Sequence, residues 1–155
     1  MNPKDHLILT YLRQNARTRI TRIAKETGMP ISTVFDRIRY FEGRLIKKYA
    51  TLIDFSKLGY DVRAFISLGI PIEQRNRLRD YLLENSSINS IFKINNGFNF
   101  LVDAAFYSLH HLEEFMDDLD SKFNINKKYI FYIIEELKRE DFVGDGKIFL
   151  EGGKK

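Results

Sequence analysis

Met29-Pro30-Ile31-Ser32-Thr33-Val34-Phe35-Asp36-Arg37-Ile38-Arg39-Tyr40-Phe41-Glu42 is the stretch from which the rest of the chain can be read. Wound as a helix at about 100° per residue, it places Ile31, Val34, Ile38, Phe41 and Leu45 on one stripe. Ser32, Thr33, Asp36, Arg39 and Tyr40 fall on the opposite side, with Arg37 at its edge. Short hydrogen-bonding groups come first along that side, and two guanidinium groups follow. The order suits a helix that points its N-terminal end at base edges and rests its later turns against phosphates. It equally suits an ordinary amphipathic surface helix with a solvated face. The residues before it separate the two readings.

Asn2-Pro3-Lys4-Asp5 opens a first helix: Asn2 caps it, Pro3 fits the first turn, and Asp5 suits the positive N-terminal end. Leu7, Ile8, Tyr11 and Leu12 give it an apolar stripe. Asn15-Ala16-Arg17-Thr18 breaks off into a short loop. A second helix is predicted from Ile20 to Thr27, with Ile20, Ile23, Ala24 and Thr27 facing inward. Gly28 ends it, because a left-handed C-terminal position favours glycine. Met29-Pro30 turns the chain into the third helix, capped by Pro30's neighbours or by Ser32. A helix with a small inward residue, a glycine turn and an amphipathic helix led by Ser and Thr together make a helix-turn-helix signature.

Charge supports that reading. Residues 1–50 carry 11 Lys/Arg against 4 Asp/Glu, a net +7, whereas residues 51–155 carry 14 against 17, a net −3. A basic module joined to a near-neutral one points to a polyanionic partner for the first, here double-stranded DNA. The candidate base contacts are Ser32, Thr33, Asp36 and Tyr40. Arg37 and Arg39, with Arg17, Arg19 and Arg22 around the start of the second helix, are the candidate phosphate contacts.

The chain of 155 residues is 44% apolar, with 13 Phe and 8 Tyr, enough for a real core. It has no cysteine, hence no disulfide, thiolate metal site or cysteine nucleophile. His6, His110 and His111 lack the spacing of a metal cluster. The sequence carries no transmembrane-length apolar run and no signal-peptide pattern, so a soluble cytoplasmic protein without a membrane partner or cofactor is expected.

Beyond the basic module, Lys47 to Ile53 is rich in β-formers and predicts a strand, and Ser56-Lys57-Leu58-Gly59 a turn. Val62, Ala64, Ile66, Leu68 and Ile70 alternate with Arg63, Phe65, Ser67 and Gly69 in a strand stopped by Pro71. Glu73 to Asn85 reads as helix, with Leu78, Tyr81 and Leu82 inward. Ile88 to Ile94 is a second strand, and Asn95-Asn96-Gly97 a tight turn. Phe98, Phe100, Val102, Ala104 and Phe106 alternate through a third strand. Leu109, Leu112, Met116, Leu119 and Phe123 step along a helix, and Tyr129 to Ile134 forms a fourth strand, apolar on both faces. The β-α-β-β-α-β order predicts an antiparallel sheet with both helices on one face. The bare second face, carried by Phe65, Ile130 and Tyr132 or their alternates, is expected to pair with another chain.

Several of these pieces resemble the Lrp/AsnC (leucine-responsive, feast/famine) transcription regulators. They are Asn15-Ala16-Arg17, Ile23-Ala24 with Gly28, Asp36-Arg37-Ile38-Arg39 with Glu42, and Ile46-Lys47-Lys48-Tyr49-Ala50-Thr51-Leu52-Ile53-Asp54, which is similar to the family's strand linker. The resemblance implies an α+β chain. Residues 1–50 would be the helix-turn-helix domain, 51–59 a strand linker, 60–138 a ferredoxin-like sandwich for oligomerisation and effector sensing, and 139–155 a tail. It further implies homodimers that assemble into tetramers or octamers and read inverted repeats. In many members the loop between the second and third strands of the sandwich reads Gly, acid, aromatic, acid and helps hold a free amino acid. Here Asn96-Gly97-Phe98-Asn99 stands there, with only the aromatic in place. Asn99 brings an acceptor without charge, so amino-acid binding is expected to be weak or absent. The tail is expected to add a short strand near Ile148-Phe149-Leu150 or to fray.

Two other classes compete: an architectural DNA-binding protein that needs no effector, and an acylphosphatase-like enzyme of the same β-α-β-β-α-β order. The enzyme needs a phosphate loop at the first strand–helix junction, but Gly69-Ile70-Pro71-Ile72-Glu73 ends in an acid. Glu113-Glu114 and Asp117-Asp118 read as a solvated helix face. No Ser/His/Asp set or nucleotide fingerprint occurs, and no catalytic residue is assigned.

Overall fold

Asn2 accepts the Asp5 N–H on its side-chain oxygen at 2.8 Å and so starts α1 (Pro3–Gln14). The computed structural model describes residues 1–144 and divides them into two units, one of Met1–Leu52 with the chain from Leu137 and one of Ile53–Glu136. Loss of the cap exposes an orphan N–H. Asn2→Ala is therefore expected to lower the stability of the first unit by about 1 kcal/mol, measurable in urea unfolding followed at the helical signal.

In that unit α2 (Ile20–Thr27) and α3 (Ile31–Phe41) follow α1. Gly28 ends α2 at φ +60°, and its N–H reaches back to the carbonyls of Ala24 and Lys25. Ile8, Ile23, Ala24, Val34, Ile38 and Phe41 form the core, closed by Leu9, Tyr11, Leu12, Ile20, Met29 and Ile46. Two residues of the expected α3 stripe lie outside it: Ile31 and Leu45 are exposed. Ile31 is the first helical residue and projects ahead of the packed turns. Leu45 follows the helix end at Phe41, and Met29 and Ile46 close the core in their place. Nor does Ser32 cap α3; Pro30 stands at the cap position with no side-chain hydrogen bond. The chain from Leu137 meets α1 in the same unit, where Arg13 pairs with Glu140 and its Nε donates to the Phe142 carbonyl at 3.2 Å. The strand expected near Ile148-Phe149-Leu150 lies outside the described residues.

The strand expected from Lys47 to Ile53 does not form among the described residues: this stretch enters no ladder and its side chains are exposed. β-forming residues make a strand only where a neighbour takes their N–H and C=O groups, and none of the described residues is placed there.

The second unit holds β1 (Val62–Gly69), α4 (Arg75–Glu84), β2 (Ile88–Lys93), β3 (Phe100–Phe106), α5 (Leu109–Lys122) and β4 (Lys127–Tyr132). The sheet runs β2-β3-β1-β4 and every pair is antiparallel. Ala64, Ile66, Leu68, Val102 and Ala104 meet Leu78, Leu82, Leu112, Met116 and Leu119 in one core. Each fully buried leucine there contributes about 1.5–3 kcal/mol of hydrophobic free energy. Leu109, expected inward, is exposed, because α5 begins there behind the Ser108 cap; Phe115, not expected, is buried.

β4 begins two residues earlier than its apolar pattern suggests, since Lys127 and Lys128 pair with Gly69 and Leu68. Its register separates the alternates. Ile130 sits opposite Ile66 on the helix-covered face, and Tyr132 opposite Ala64 on the same face. Phe131 sits opposite Phe65, and Tyr129 opposite Ser67, on the open face. Phe65, Leu101, Phe92, Tyr129 and Phe131 thus share a face that no helix covers, three of them more than half exposed. In its midst Asp103 is buried against Arg63, whose Nε and Nη2 donate to its two oxygens at 3.0 and 2.9 Å, and Asn89 donates to it at 2.6 Å. The Asp103 hydrogen bonds hold the Arg63 guanidinium above its ordinary pKa despite burial.

Candidate nucleic-acid interface

The burial of Val34, Ile38 and Phe41 turns the opposite side of α3 to solvent. Ser32, Asp36, Arg39 and Tyr40 are exposed there and Thr33 is half-buried at the flank. Arg17 lies in the exposed loop after α1, where the Asn15 side chain accepts its N–H at 2.9 Å. Arg19 occupies the residue before α2, and Arg22 stands in its first turn with its guanidinium 5.9 Å from the Tyr11 ring. All three are exposed. Arg37 differs from the others: it is half-buried, and its Nε lies 3.6 Å from the buried Asp5 carboxylate. Part of its charge is spent on balancing Asp5, so it is a weaker phosphate candidate than Arg39.

One residue of this surface escaped the sequence reading. Phe35 is 46% exposed, and the Arg39 guanidinium lies 5.8 Å from its ring centroid. It stands three residues after Ser32 and four before Arg39, on the same side of the helix. That spacing was visible, but an aromatic is ordinarily assigned to the core. On a groove-facing helix its ring can pack against a thymine methyl group.

The loop Asn96-Gly97-Phe98-Asn99 is a hairpin with left-handed backbone at Asn96 (φ +62°) and Gly97 (φ +83°). Its last residue is already engaged. Asn99 accepts the Ile70 N–H on its side-chain oxygen at 2.7 Å, and its own N–H donates to the Leu68 carbonyl at 2.8 Å. The loop also presses on the end of β1: a Cβ at Gly69 would lie 2.9 Å from the Gly97 carbonyl oxygen. The Asn99 oxygen, read from the sequence as an acceptor for a ligand's ammonium, already serves the strand end with one of its two lone pairs. Asn99→Ala leaves the Ile70 N–H unsatisfied at a buried position, and a loss of about 1–3 kcal/mol is expected with no ligand added. A thermal melt of the unliganded variant indistinguishable from wild type would contradict this role.

Residues 1–42 match the winged helix-turn-helix DNA-binding family. The HTH-type transcriptional regulator FL11 of Pyrococcus horikoshii is 26% identical over 118 residues, which cover 76% of this chain and 78% of that protein. An AsnC family transcriptional regulator from Agrobacterium tumefaciens superposes with a TM-score of 0.80 at 20% identity, covering 90% of this chain and 94% of that one. The fold is that of the Lrp/AsnC regulators. A transcriptional regulator of Neisseria meningitidis, solved as a complex with L-Met, shares this Lrp/AsnC-type fold with a TM-score of 0.83 at 20% identity, over 90% of this chain and 93% of that one. Among the described residues no cluster of His and carboxylates is arranged to hold a metal ion, and no helix is long and apolar enough to cross a membrane.

Proposed function

We propose that this protein is a sequence-specific DNA-binding regulator of transcription that acts as a homodimer or larger even-numbered oligomer. The observation that carries the reading is the exposed side of α3, where Ser32, Asp36, Arg39 and Tyr40 stand clear of the core on a basic helix-turn-helix. Thr33 and Phe35 join Ser32, Asp36 and Tyr40 at base edges, and Arg17, Arg19, Arg22 and Arg39 hold phosphates, with Arg37 a lesser contributor. Two chains joined through the open sheet face would present two such helices, so the site would be an inverted repeat with half-sites about 34–36 Å apart or a multiple of that. The FL11 and Agrobacterium proteins carry regulator names, which supports the same reading over an enzymatic one.

The test is selection of bound duplexes from a random pool, followed by titration of variants. Arg39→Ala should weaken selected and unselected duplexes alike and reduce the salt slope by about one. Thr33→Ala should lose discrimination at particular bases, and Phe35→Ala should cost about 1–3 kcal/mol at a T·A pair. Equal losses on specific and non-specific DNA for all three would show that the roles are misassigned.

The L-Met complex of the Neisseria protein supports a small-molecule effector for the second unit. In this chain the committed Asn99 and the uncharged loop argue for a feeble response to free amino acids.

A further inference from the structure

A cleft of about 140 Å³ lies between the start of α4 and the facing ends of β2 and β3, lined by Arg75, Asn76, Arg79, Lys93, Asn99 and Phe100. Three of these six side chains are cationic, and no carboxylate lines the space. Arg79 is paired with Asp80 at 2.7 Å. Arg75 and Lys93 form no ion pair among the described residues, and Arg75 Nε is shut off from solvent with no hydrogen-bond acceptor. Arg75 is half-buried, and a bound anion would give this one enclosed N–H the acceptor it lacks. The Asn99 oxygen is taken by Ile70 N–H, so its amide NH2 is the group left to donate. Glu73, whose charge speaks against a phosphate loop at the β1–α4 turn, is not part of the lining.

We propose that this cleft binds a small anion carrying two or more negative charges on carboxylate or phosphate groups. The guanidinium fork matches either group bidentately, and Lys93 adds a point charge from the opposite wall. A free amino acid would bring its ammonium among three like charges with no carboxylate to receive it. The inference deepens the reading of the second unit as a regulator's sensor and rests on that reading only for its consequence at DNA.

The test is isothermal titration of the full-length protein at constant ionic strength with citrate, inorganic phosphate and L-leucine. One site per chain is expected for citrate or phosphate, with a dissociation constant below about 1 mM. Citrate alone would identify a polycarboxylate ligand, and phosphate alone a phosphate-bearing one. Lys93→Met and Arg79→Met should each weaken binding about tenfold or more, while Arg39→Ala on the DNA-facing helix leaves it unchanged. Arg75→Met should abolish binding without lowering the melting temperature of the free protein, since the Nε it removes has no hydrogen-bond partner there. The proposal is overturned if neither anion binds, if Lys93→Met binds as well as wild type, or if L-leucine binds as tightly as the anions. It is also overturned if a random-sequence duplex displaces the anion from Arg39→Ala protein, because the cleft would then be a contact for DNA backbone. Duplex titration of the same variants keeps the two readings apart. Wild-type protein that binds no DNA defeats the regulator, whereas Lys93→Met and Arg79→Met that lose the anion and keep DNA support the cleft as a site separate from the DNA-facing helix.

Discussion

Phe131→Asp is expected to sediment as a folded monomer at micromolar concentration and to lose about 10²-fold or more in affinity for a two-half-site duplex. Phe131 lies on the open face opposite Phe65 and is 55% exposed within one chain, so the substitution removes nothing from the protomer's own core. In a dimer the same position would bury a carboxylate without a partner, and the cost falls entirely on association. The loss at DNA follows because two linked half-site contacts become two independent ones. Circular dichroism unchanged from wild type would confirm that the protomer remains folded. A variant that stays dimeric would place the interface elsewhere, and a wild-type protein that is itself monomeric would dismiss the open face as an interface.

The second large effect is at Arg63. Arg63→Ala strips the buried Asp103 of its bidentate partner and leaves Asn89 as its remaining side-chain donor in this network. Removing one member of a buried ion pair costs about 3–5 kcal/mol, because the other charge stays desolvated and uncompensated. Arg63 also binds Glu136 and lies 5.8 Å from the Phe55 ring, so packing is lost with the charge. Urea denaturation at fixed protein concentration reads the effect. The paired substitution Arg63→Met with Asp103→Leu should recover most of the loss, since apolar groups of similar volume often replace a buried pair without penalty. A single-substitution loss below about 1 kcal/mol would mean that water already reaches Asp103 in the wild type.

Much of the candidate interface was legible from residue order. Gly28 after Thr27, Ala24 facing inward and the polar run from Ser32 suffice to phase α3, because one helix has only one way to bury Val34, Ile38 and Phe41 together. Phe35 was missed because periodicity sorts residues by polarity and so assigns an aromatic to the core, whereas this one is exposed beside Arg39. Arg37 looked equivalent to Arg39 until its proximity to Asp5, 32 positions earlier in the chain, divided its charge. The hairpin loop was located correctly by Asn96-Gly97, but the engagement of Asn99 with Ile70 joins two strands, and no local pattern reports such a bond.

The sequence by itself determined the helix-turn-helix, the β-α-β-β-α-β order and the concentration of positive charge in residues 1–50. Each of these is written in local periodicity, caps and turn residues, which act over a few positions of chain. The tertiary structure alone decided which alternates of β4 face outward, that Lys47 to Ile53 forms no strand in this chain, and that Arg75, Arg79 and Lys93 converge on one cleft. The reason is that a strand apolar on both faces carries no phase of its own. Its register is set by the hydrogen-bond ladder to β1, and a stretch of β-formers without such a ladder has nothing to pair with.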